Sequence, residues 1–405
     1  MKKLRVLKFD AFYPVGYLTN KKNENKDLIE NQNYHSYYNW LISLRSYLSD
    51  YFSYHMNENG WECREVFAHD SLLLKKLVED GEIKKVSGVY YIFFIFRFIF
   101  NLKLKQILNF PNWKNVFLIS FKKEKKEWLL EQYINTYNPD ILFIREPSII
   151  DGLFWNRFKG KKFIVSLIGC NTSHAINWYP HRNDMIISLT PSYQQFFKLQ
   201  NIPSICFEYG IEERIFDELP LKGKNYDITF VGLLGSADQV EKSKLLNEVA
   251  AIYNFKWWGP KGAEIDEYPA LIACWQGQTS GIDMFSIYHQ SKIVINDYVG
   301  VAEGLNVNMR TKEVLQVGSF LLTRSATNIL HLENEKVLAI FEDTPECIRK
   351  IGYYLINDKE REDIAANGRK YAIQNFSYSI IIKNLMAKIE QEYTKFNCYK
   401  TTGTN

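Results

Sequence analysis

The segment Ser291–Thr323 carries the side chains whose types and spacing best suit chemistry. An apolar run, KIVIN, leads into a polar loop with two glycines, and Asn308-Met309-Arg310 then begins a short helical pattern. The N–H groups and positive dipole end of a helix bind anions, and a guanidinium matches the geometry of phosphate. Glu313 follows on the same helix face, where its carboxylate could accept hydrogen bonds from a ribose diol. The segment therefore predicts either a nucleotide-diphosphate site or an ordinary surface helix with an Arg–Glu pair.

Two further polar residues follow predicted strands in the first half of the chain, and either could act as a general base. Asp10 follows the first β-branched run, and His174 lies in the loop GCNTSHAINW after the run Phe163–Ile168. The competing interpretations are an aspartate that caps a turn and a histidine that is structural or exposed. The triplet Glu264-Ile265-Asp266 resembles a metal-binding pattern, but it lies in a polar loop, and we predict no metal there.

Short β-branched runs alternate with longer helical patterns along the chain, which is typical of α/β proteins with parallel sheets. The predicted strands are Leu4–Phe9, Glu62–Phe67, Ile141–Arg145, Phe163–Ile168, Met185–Leu189, Tyr226–Val231, Phe255–Trp258, Lys292–Asn296, Ser319–Thr323 and Leu338–Phe341. The predicted helices are His35–Met56, Glu124–Tyr137, one opened by Thr190-Pro191, 239–253, Asn308–Val317, 345–357, 359–374 and 378–395. A polar stretch at 217–226 predicts a linker between two domains of similar size, with a ligand cleft between them.

Composition excludes several classes of protein. With 405 residues, 46% hydrophobic and 15% aromatic, the chain can form two or three domains with their own cores and is too apolar for disorder. Its net charge of +4 is too small to indicate nucleic acid as a partner. Residues 1–205 carry 28 Lys and Arg against 19 Asp and Glu (+9), whereas 206–405 carry 22 against 27 (−5). The two halves are therefore predicted to meet different partners.

Cysteine usage and hydropathy bear on where the protein works. Six scattered cysteines without a CxxC pair predict neither a disulfide framework nor a zinc site and indicate a reducing cytoplasm. The amino terminus has no apolar stretch of signal-peptide length. The apolar run Val89–Phe100 has 12 residues, whereas a bilayer core needs about 20. The run is either a helix buried against the first sheet or, with the basic stretch Lys122–Lys126, a segment at an anionic membrane interface.

The segment 291–323 also resembles the C-terminal domain of CgeB-like and related family 4 ("group 1") glycosyltransferases, which have the GT-B fold. The matching positions are Tyr288, Ser291, Asn296, Asn308, Met309, Arg310, Glu313, Gly318 and Thr323. Further matches are the strand YDITFVG (226–232), the turn WWGPKG (257–262), the hinge-like YGIEERIF (209–216) and the closing helices at 347–378. The resemblance covers roughly 205–390, and the first half of the chain matches only in its pattern.

This resemblance implies a site for a nucleotide-diphospho-sugar donor, with Glu313 binding the ribose. At the start of the helix, the implied donor-binding residues are Asn306, Asn308, Met309 and Arg310. The implied Gly-rich loop after the first strand of the second domain is Gly232–Gly235, and Gly259 in the turn at 257–262 is a further donor-binding candidate. Where the family commonly has an Arg after the first loop, this chain has Lys242 and Lys244, which neutralise phosphate without a bidentate contact. Leu305 stands where many members have a further Glu, a loss that CgeB-like members often share.

The resulting fold prediction is α/β of the GT-B type, with two Rossmann-like domains whose parallel sheets face each other across a cleft. An acceptor-side domain is predicted at 1–205, a hinge at 206–225 and a nucleotide-sugar domain at 226–376. The last helix, at 377–405, is predicted to pack back towards the first domain, so that C-terminal helices close the chain.

The predicted activity is metal-independent, cofactor-free glycosyl transfer to a glycan, lipid-linked or protein acceptor in surface polysaccharide or glycoconjugate synthesis. His174 and Asp10 are the candidate catalytic residues. The protein is predicted to be cytoplasmic, and its basic half is the candidate contact to an anionic membrane surface. A non-catalytic nucleotide-sugar-binding module and another GT-B reaction, such as epimerisation of a nucleotide sugar, remain as alternatives.

Overall fold

The computed structural model describes residues 3–11, 15–46, 49–84, 113–145, 150, 152–168, 183–220, 223–297, 308–326 and 329–402. Within these residues the strands form two sheets in which all pairs are parallel. The first sheet contains β1 Arg5–Asp10, β2 Glu62–Phe67, β3 Ile141–Ile144, β4 Phe163–Ile168, β5 Met185–Ser188 and β6 Ser204–Cys206. The second contains β7 Tyr226–Val231, β8 Phe255–Trp258, β9 Ser291–Asn296, β10 Phe320–Arg324 and β11 Ala339–Phe341. The α/β prediction with parallel sheets is therefore confirmed.

Helices connect and cover the strands. Those of the first half are α1 Val15–Glu24, α2 Lys26–Glu30, α3 Tyr34–Ser43, α4 Tyr51–Glu58, α5 Ser71–Glu79, α6 Trp113–Tyr137, α7 Gly152–Trp155 and α8 Pro191–Leu199. Those of the second half are α9 Arg214–Glu218, α10 Val240–Ile252, α11 Pro269–Cys274, α12 Gly281–His289, α13 Met309–Gln316, α14 Leu330–Asn334, α15 Thr344–Ile356, α16 Asp358–Phe376 and α17 Tyr378–Thr402.

Both sheets reverse their strand order next to their first strand. The orders are β2-β1-β3-β4-β5-β6 and β8-β7-β9-β10-β11. In open parallel sheets, ligands bind at the carboxyl ends of the strands at such a reversal. The two candidate positions are therefore the edge beside Asp10, between β1 and β3, and the edge beside Gly232 and Asn296, between β7 and β9.

The prediction of one helix over His35–Met56 is wrong, because this segment forms two helices, α3 and α4, with a non-helical turn between them. Arg45 and Ser49 adopt left-handed φ angles of 48° and 37°, which no helix accepts. The break lies where the two halves of the chain touch: the Leu44 carbonyl accepts a hydrogen bond from the Ile282 amide at 2.8 Å. A contact between residues so far apart in sequence leaves no local signal.

Two shorter elements also differ from the sequence-based assignments. Strand β6 was not predicted, since three residues are too few to show a periodic pattern. The segment assigned as linker from 217 includes the end of helix α9, Arg214–Glu218.

The last helix, α17, packs on the first sheet although it follows the second in sequence. The Phe163 ring of β4 lies 5.8 Å from that of Tyr393 and 5.4 Å from that of Phe396. Just before α17, the Ile211 amide donates to the Phe376 carbonyl at 2.7 Å, which joins the helices to the connection between the sheets. The predicted domain limits stay predictions.

The structure tests whether any described helix could span a membrane. None of the helices in the described ranges is long and apolar enough to cross a bilayer. The run Val89–Phe100 lies outside those ranges, so its two interpretations stay predictions, as does the predicted location in the cytoplasm.

Candidate functional site

A network of short polar side chains joins the carboxyl ends of β9 and β10 to helix α13. Asn296, the last residue of β9, donates from Nδ2 to Thr323 Oγ1 at 3.2 Å and to Thr311 Oγ1 at 3.4 Å. Its Oδ1 accepts a hydrogen bond from Arg310 Nη1 at 3.2 Å. Asn296 is fully buried, so these contacts fix where the Arg310 guanidinium lies.

Helix α13 begins at this edge because Asn308 caps it. The Asn308 side-chain oxygen accepts from the Thr311 amide at 2.8 Å and from Thr311 Oγ1 at 2.9 Å. Such a cap satisfies one of the free N–H groups of the first turn and sets the helix start. Arg310 therefore lies in the first turn, at the positive end of the helix dipole.

Arg310 lies directly against the loop that follows β7. A Cβ placed on Gly232 would be 2.7 Å from Arg310 Nη2, so only glycine leaves room for the guanidinium in this position. The guanidinium carbon is 4.9 Å from the centre of the Phe230 ring, and Lys242 Nζ is 5.6 Å from the same ring. Two cations therefore flank one aromatic ring beside the switch point of the second sheet.

Lys242 is the more unusual of these two cations. It is only 7% exposed, and it forms no hydrogen bond or ion pair with any described residue. Burial, together with repulsion by Arg310, lowers the pKa of Lys242 to about 8. It also lies in the first turn of α10, where the helix dipole disfavours a cation. This arrangement is unfavourable for the protein alone, and a bound anion would offset the cost.

The structure separates the two lysines that the sequence left as equivalent candidates. The Lys244 side chain is 58% exposed and pairs with Glu241 at 3.1 Å on the outer surface of α10. Only Lys242 therefore lies beside Arg310.

Glu313 lies one turn after Arg310 on α13 and is half-buried. Burial raises the pKa of Glu313 to about 7, although the positive charge of Arg310 acts in the opposite direction. Within the described part of the chain its carboxyl group forms no hydrogen bond or ion pair. A desolvated carboxylate without a partner is the kind of group that a ligand hydroxyl can satisfy.

The predicted loop glycines pack against each other, backbone to backbone. A Cβ on Gly259 would lie 2.0 Å from the Gly232 carbonyl oxygen, and one on Gly262 would lie 2.1 Å from that of Gly235. The Gly262 amide donates to the Leu234 carbonyl at 2.7 Å. These contacts account for the glycines through packing of the two loops, and their donor-binding roles stay predictions.

The predicted catalytic residue Asp10 lies at the corresponding edge of the first sheet, but it is enclosed by cations. Lys8 Nζ donates to Asp10 Oδ2 at 2.6 Å, and the Arg145 guanidinium binds Oδ1. Burial alone would raise the pKa of Asp10, yet Arg145 and Lys8 hold it below its ordinary value. These contacts favour a positioning role over proton abstraction. His174 and Asn306 lie outside the described residues.

Helix α13 is also tied to the segment that connects the two sheets. Lys312 Nζ donates to Glu208 Oε1 at 2.6 Å and to the Tyr209 carbonyl at 2.7 Å. The Glu212 amide donates to Gln316 Oε1 at 3.0 Å. The helix that carries Arg310 therefore contacts the connection as well as the strand ends.

Several residues of this site had no role assigned from sequence. Asn296 and Thr323 are among the positions that match the family pattern, but the sequence analysis assigned them no function. Nothing in the sequence pointed to Phe230 or Thr311. The polar residue at the end of each buried strand could have indicated Asn296 and Thr323. Among the described residues, no group of three or more His, Cys, Asp and Glu could hold a metal ion, and metal independence stays a prediction.

Comparison with known proteins agrees with this geometry. Residues 240–387 match the model of a family described as glycosyl transferase-like. A glycosyltransferase from Rickettsia africae ESF-5 is similar in structure, with a TM-score of 0.52, 12% identity and coverage of 97% of this chain and 99% of that one. The fold is GT-B.

A second structural match is the N-terminal domain of trehalose-6-phosphate phosphatase from Candida albicans, with a TM-score of 0.53 and 10% identity over 97% of this chain and 99% of that one. A search of curated protein sequences found no match. The GT-B prediction is confirmed, and the family match over 240–387 supports a GT-B glycosyltransferase. The narrower CgeB-like resemblance stays a prediction.

Proposed function

We propose that this protein transfers a sugar from a nucleotide-diphospho-sugar donor to a glycan, lipid-linked or protein acceptor. The observation that carries the proposal is the pair of cations at the β7–β9 edge, Lys242 and Arg310. Lys242 is buried and forms no ion pair with any described residue, and Arg310 lies next to it in the first turn of a helix. A diphosphate supplies the two negative groups that this pair lacks.

In this proposal the donor lies along the start of α13. Its diphosphate contacts Arg310 and Lys242, and its ribose hydroxyls donate to the Glu313 carboxylate one turn further on. Asn296 acts through Arg310, whose guanidinium it holds in place at 3.2 Å. The assignments of Asn306, Asn308 and Met309 to the donor phosphates and of Gly232, Gly235 and Gly259 to the donor loop belong to the same proposal.

The transfer step moves one glycosyl group. An acceptor oxygen forms a bond to the anomeric carbon, while the bond from that carbon to the diphosphate oxygen breaks. The nucleoside diphosphate leaves with the electron pair, and the acceptor proton passes to a base or to the leaving phosphate. Positive groups fixed beside the diphosphate stabilise the charge that develops on it, so we expect neither a cofactor nor a metal to be needed.

The acceptor would enter from the first sheet, whose switch point lies beside Asp10. The paired state of Asp10 leaves His174 as the remaining candidate base of our set. We also propose that the pathway makes surface polysaccharide or glycoconjugate, with the protein working in the cytoplasm.

The test compares two matched lysine variants. Lys242→Met should weaken binding of UDP, GDP or dTDP by about tenfold to a hundredfold, as for loss of a charge-assisted contact, while Lys244→Met should bind like the wild type. Binding is measured by titration calorimetry. Because Lys242 is buried and forms no ion pair within the described part of the chain, Lys242→Met should also be at least as stable as the wild type, which separates lost binding from lost folding. Equal losses in both variants would contradict the diphosphate site.

A non-catalytic nucleotide-sugar-binding module is the second candidate, and the enclosure of Asp10 by Lys8 and Arg145 favours it. Turnover separates the two. Release of nucleoside diphosphate from a donor sugar, lost in Arg310→Ala, supports the transferase. Tight nucleotide binding without any release supports the binding module.

A further inference from the structure

Tyr288 is a fully buried tyrosine next to the candidate donor site. It lies in the last turn of α12, and its side chain has no exposed surface. Its hydroxyl group has no hydrogen-bond partner among the described residues. Burying a hydroxyl without a hydrogen bond costs free energy, and a partner gained in another protonation state of the site would offset that cost.

The end of α12 is fixed against the end of α13, the helix that carries the candidate donor-binding residues. His289 Nδ1 donates to the Val317 carbonyl at 2.9 Å. The Tyr288 carbonyl accepts a hydrogen bond from Ser319 Oγ, just after α13. These contacts set the position of the Tyr288 ring relative to α13.

Two charges of the candidate donor site act on the Tyr288 hydroxyl. Burial raises the pKa of Tyr288, the negative charge of Glu313 acts in the same direction, and the positive charge of Arg310 opposes them. Since Coulomb interactions weaken with distance, these effects indicate that the hydroxyl lies near both side chains.

The Tyr288 hydroxyl and the Glu313 carboxyl group have complementary needs. Glu313 accepts no hydrogen bond from the described residues, and Tyr288 donates none to them. A hydroxyl can donate and an ionised carboxylate can only accept, so a single hydrogen bond would satisfy both groups. Such a bond is stronger to the ionised carboxylate than to the protonated one, and it would therefore favour the ionised form of Glu313.

Groups from several elements act on the Glu313 carboxyl group. Arg310 lies one turn earlier on α13, Tyr288 lies on α12, and Tyr51 of α4 also interacts with the Glu313 charge. The Tyr51 hydroxyl is already engaged, because it donates to the Arg45 carbonyl at 3.2 Å. Of these two tyrosines, Tyr288 is the one whose hydroxyl has no acceptor within the described part of the chain.

We propose that Tyr288 is a positioning residue that donates a hydrogen bond to the ionised Glu313 carboxylate. The bond holds Glu313 in the form that accepts hydrogen bonds from the donor ribose. This inference rests on the proposed function, because it assigns Tyr288 to the ribose end of the same donor site. Tyr288 acts through Glu313 and does not contact the donor itself.

The experiment compares the pH dependence of donor binding in the wild type and in Tyr288→Phe. The probes are UDP-glucose, GDP-mannose and dTDP-glucose, whose diphosphates are diesters and keep their charge near neutral pH. In the wild type, affinity measured by calorimetry should rise as Glu313 ionises around pH 7. Loss of the Lys242 charge, nearer pH 8, lowers the affinity of both proteins alike.

In Tyr288→Phe the midpoint of the rise should move up by about one pH unit, because the ionised carboxylate has lost a hydrogen-bond donor. A merely structural role would lower the affinity equally at every pH. An unchanged midpoint would therefore overturn the proposal, even if Tyr288→Phe binds more weakly than the wild type.

The matched control is Tyr51→Phe, which removes a similarly buried hydroxyl near the same carboxylate. Tyr51 is 3% exposed, and its hydroxyl donates to a backbone carbonyl, so its loss should leave the midpoint at the wild-type value. Equal shifts in the two variants would overturn the assignment to Tyr288.

Urea unfolding tests the pair without a ligand and separates this inference from the proposed function. Tyr288→Phe should lower the urea midpoint at about pH 8, where Glu313 is ionised, and not at about pH 4.5. The pH-dependent part of this loss should vanish in the Glu313→Gln background, and its persistence there would overturn the hydrogen bond. If none of the probes binds while the pH-dependent loss is observed, the glycosyltransferase proposal fails and the Tyr288–Glu313 pair stands without its donor role.

Discussion

Replacing Glu313 by Gln should change stability and donor binding in opposite directions. Burial raises the pKa of Glu313 from 4.5 to about 7. Each pKa unit corresponds to about 1.36 kcal/mol, so ionised Glu313 destabilises the folded protein by at most about 3 kcal/mol. Because the folded protein holds the proton more tightly than the unfolded chain, the penalty is absent below pH 4.5, grows as pH rises and is complete above pH 7.

The amide of Gln has nearly the same shape and cannot ionise. Glu313→Gln should therefore unfold at higher urea concentration than the wild type at about pH 8, and the two proteins should unfold alike at about pH 4.5. If Glu313 accepts hydrogen bonds from the donor ribose, the same variant should bind the nucleotide roughly tenfold to a hundredfold more weakly at pH 8.

The control is Glu241→Gln on the surface of α10, where the side chain is 83% exposed. It should change neither quantity. The reasoning is refuted if Glu313→Gln gains no stability at pH 8, or if it gains as much at pH 4.5. An unchanged nucleotide affinity would remove only the ribose assignment.

Two further predictions concern the residues around this site. Glu212 should show the opposite pH dependence. Burial acts to raise its pKa, but hydrogen bonds and charge from Arg214 and His55 lower the pKa to about 2. Ionised Glu212 therefore stabilises the folded protein above pH 4.5, and this contribution is lost as pH falls towards 2. Glu212→Gln should accordingly cost about 3 kcal/mol at pH 7, measured by urea unfolding, and a difference that persists near pH 2 would contradict the pairing. Gly232→Ala should weaken nucleotide diphosphate binding about tenfold. The new Cβ would lie 2.7 Å from Arg310 Nη2 and so displace the guanidinium from its position. Gly223→Ala, with no atom within 4 Å of the new Cβ, is the control, and calorimetry should show it unchanged.

Most strands could be read from the sequence because they contain short runs of β-branched, aromatic or aliphatic residues bounded by polar or turn residues. Glu62–Phe67, Phe163–Ile168, Tyr226–Val231 and Phe255–Trp258 have the predicted limits at both ends. Phe163–Ile168 is buried along its whole length, as a strand buried on both faces requires.

The site could be predicted only in outline. Arg310 and Glu313 share a helix, so their spacing alone brings them together. Lys242 and Lys244 differ by two residues, and only the packing of α10 on Phe230 decides that Lys242 faces Arg310. The break between α3 and α4 likewise depends on a contact with Ile282, across more than 200 residues of chain.

The pairing of buried charges distinguishes the two switch points. At the first sheet, the cations Lys8 and Arg145 form ion pairs with Asp10 and Glu65, although burial still raises the pKa of Glu65 to about 7. At the second sheet, Asp297 pairs with Arg324 at 2.7 Å and also attracts Lys242, which itself forms no ion pair with a described residue. Glu313 likewise accepts no hydrogen bond from the described residues.

A buried charge without a partner destabilises the fold, and a bound ligand of opposite charge would offset that cost. Residues 206–405 therefore contain the better candidate for a diphosphate site, although their net charge is −5. In the proposed function, attraction of the donor depends on two local cations, and the surplus of positive charge in the first half would face the acceptor. Raising the salt concentration should weaken nucleotide binding at Lys242 only slightly, because screening acts mainly on exposed charges and Lys242 is buried; a steep loss of affinity in calorimetry would contradict a buried site.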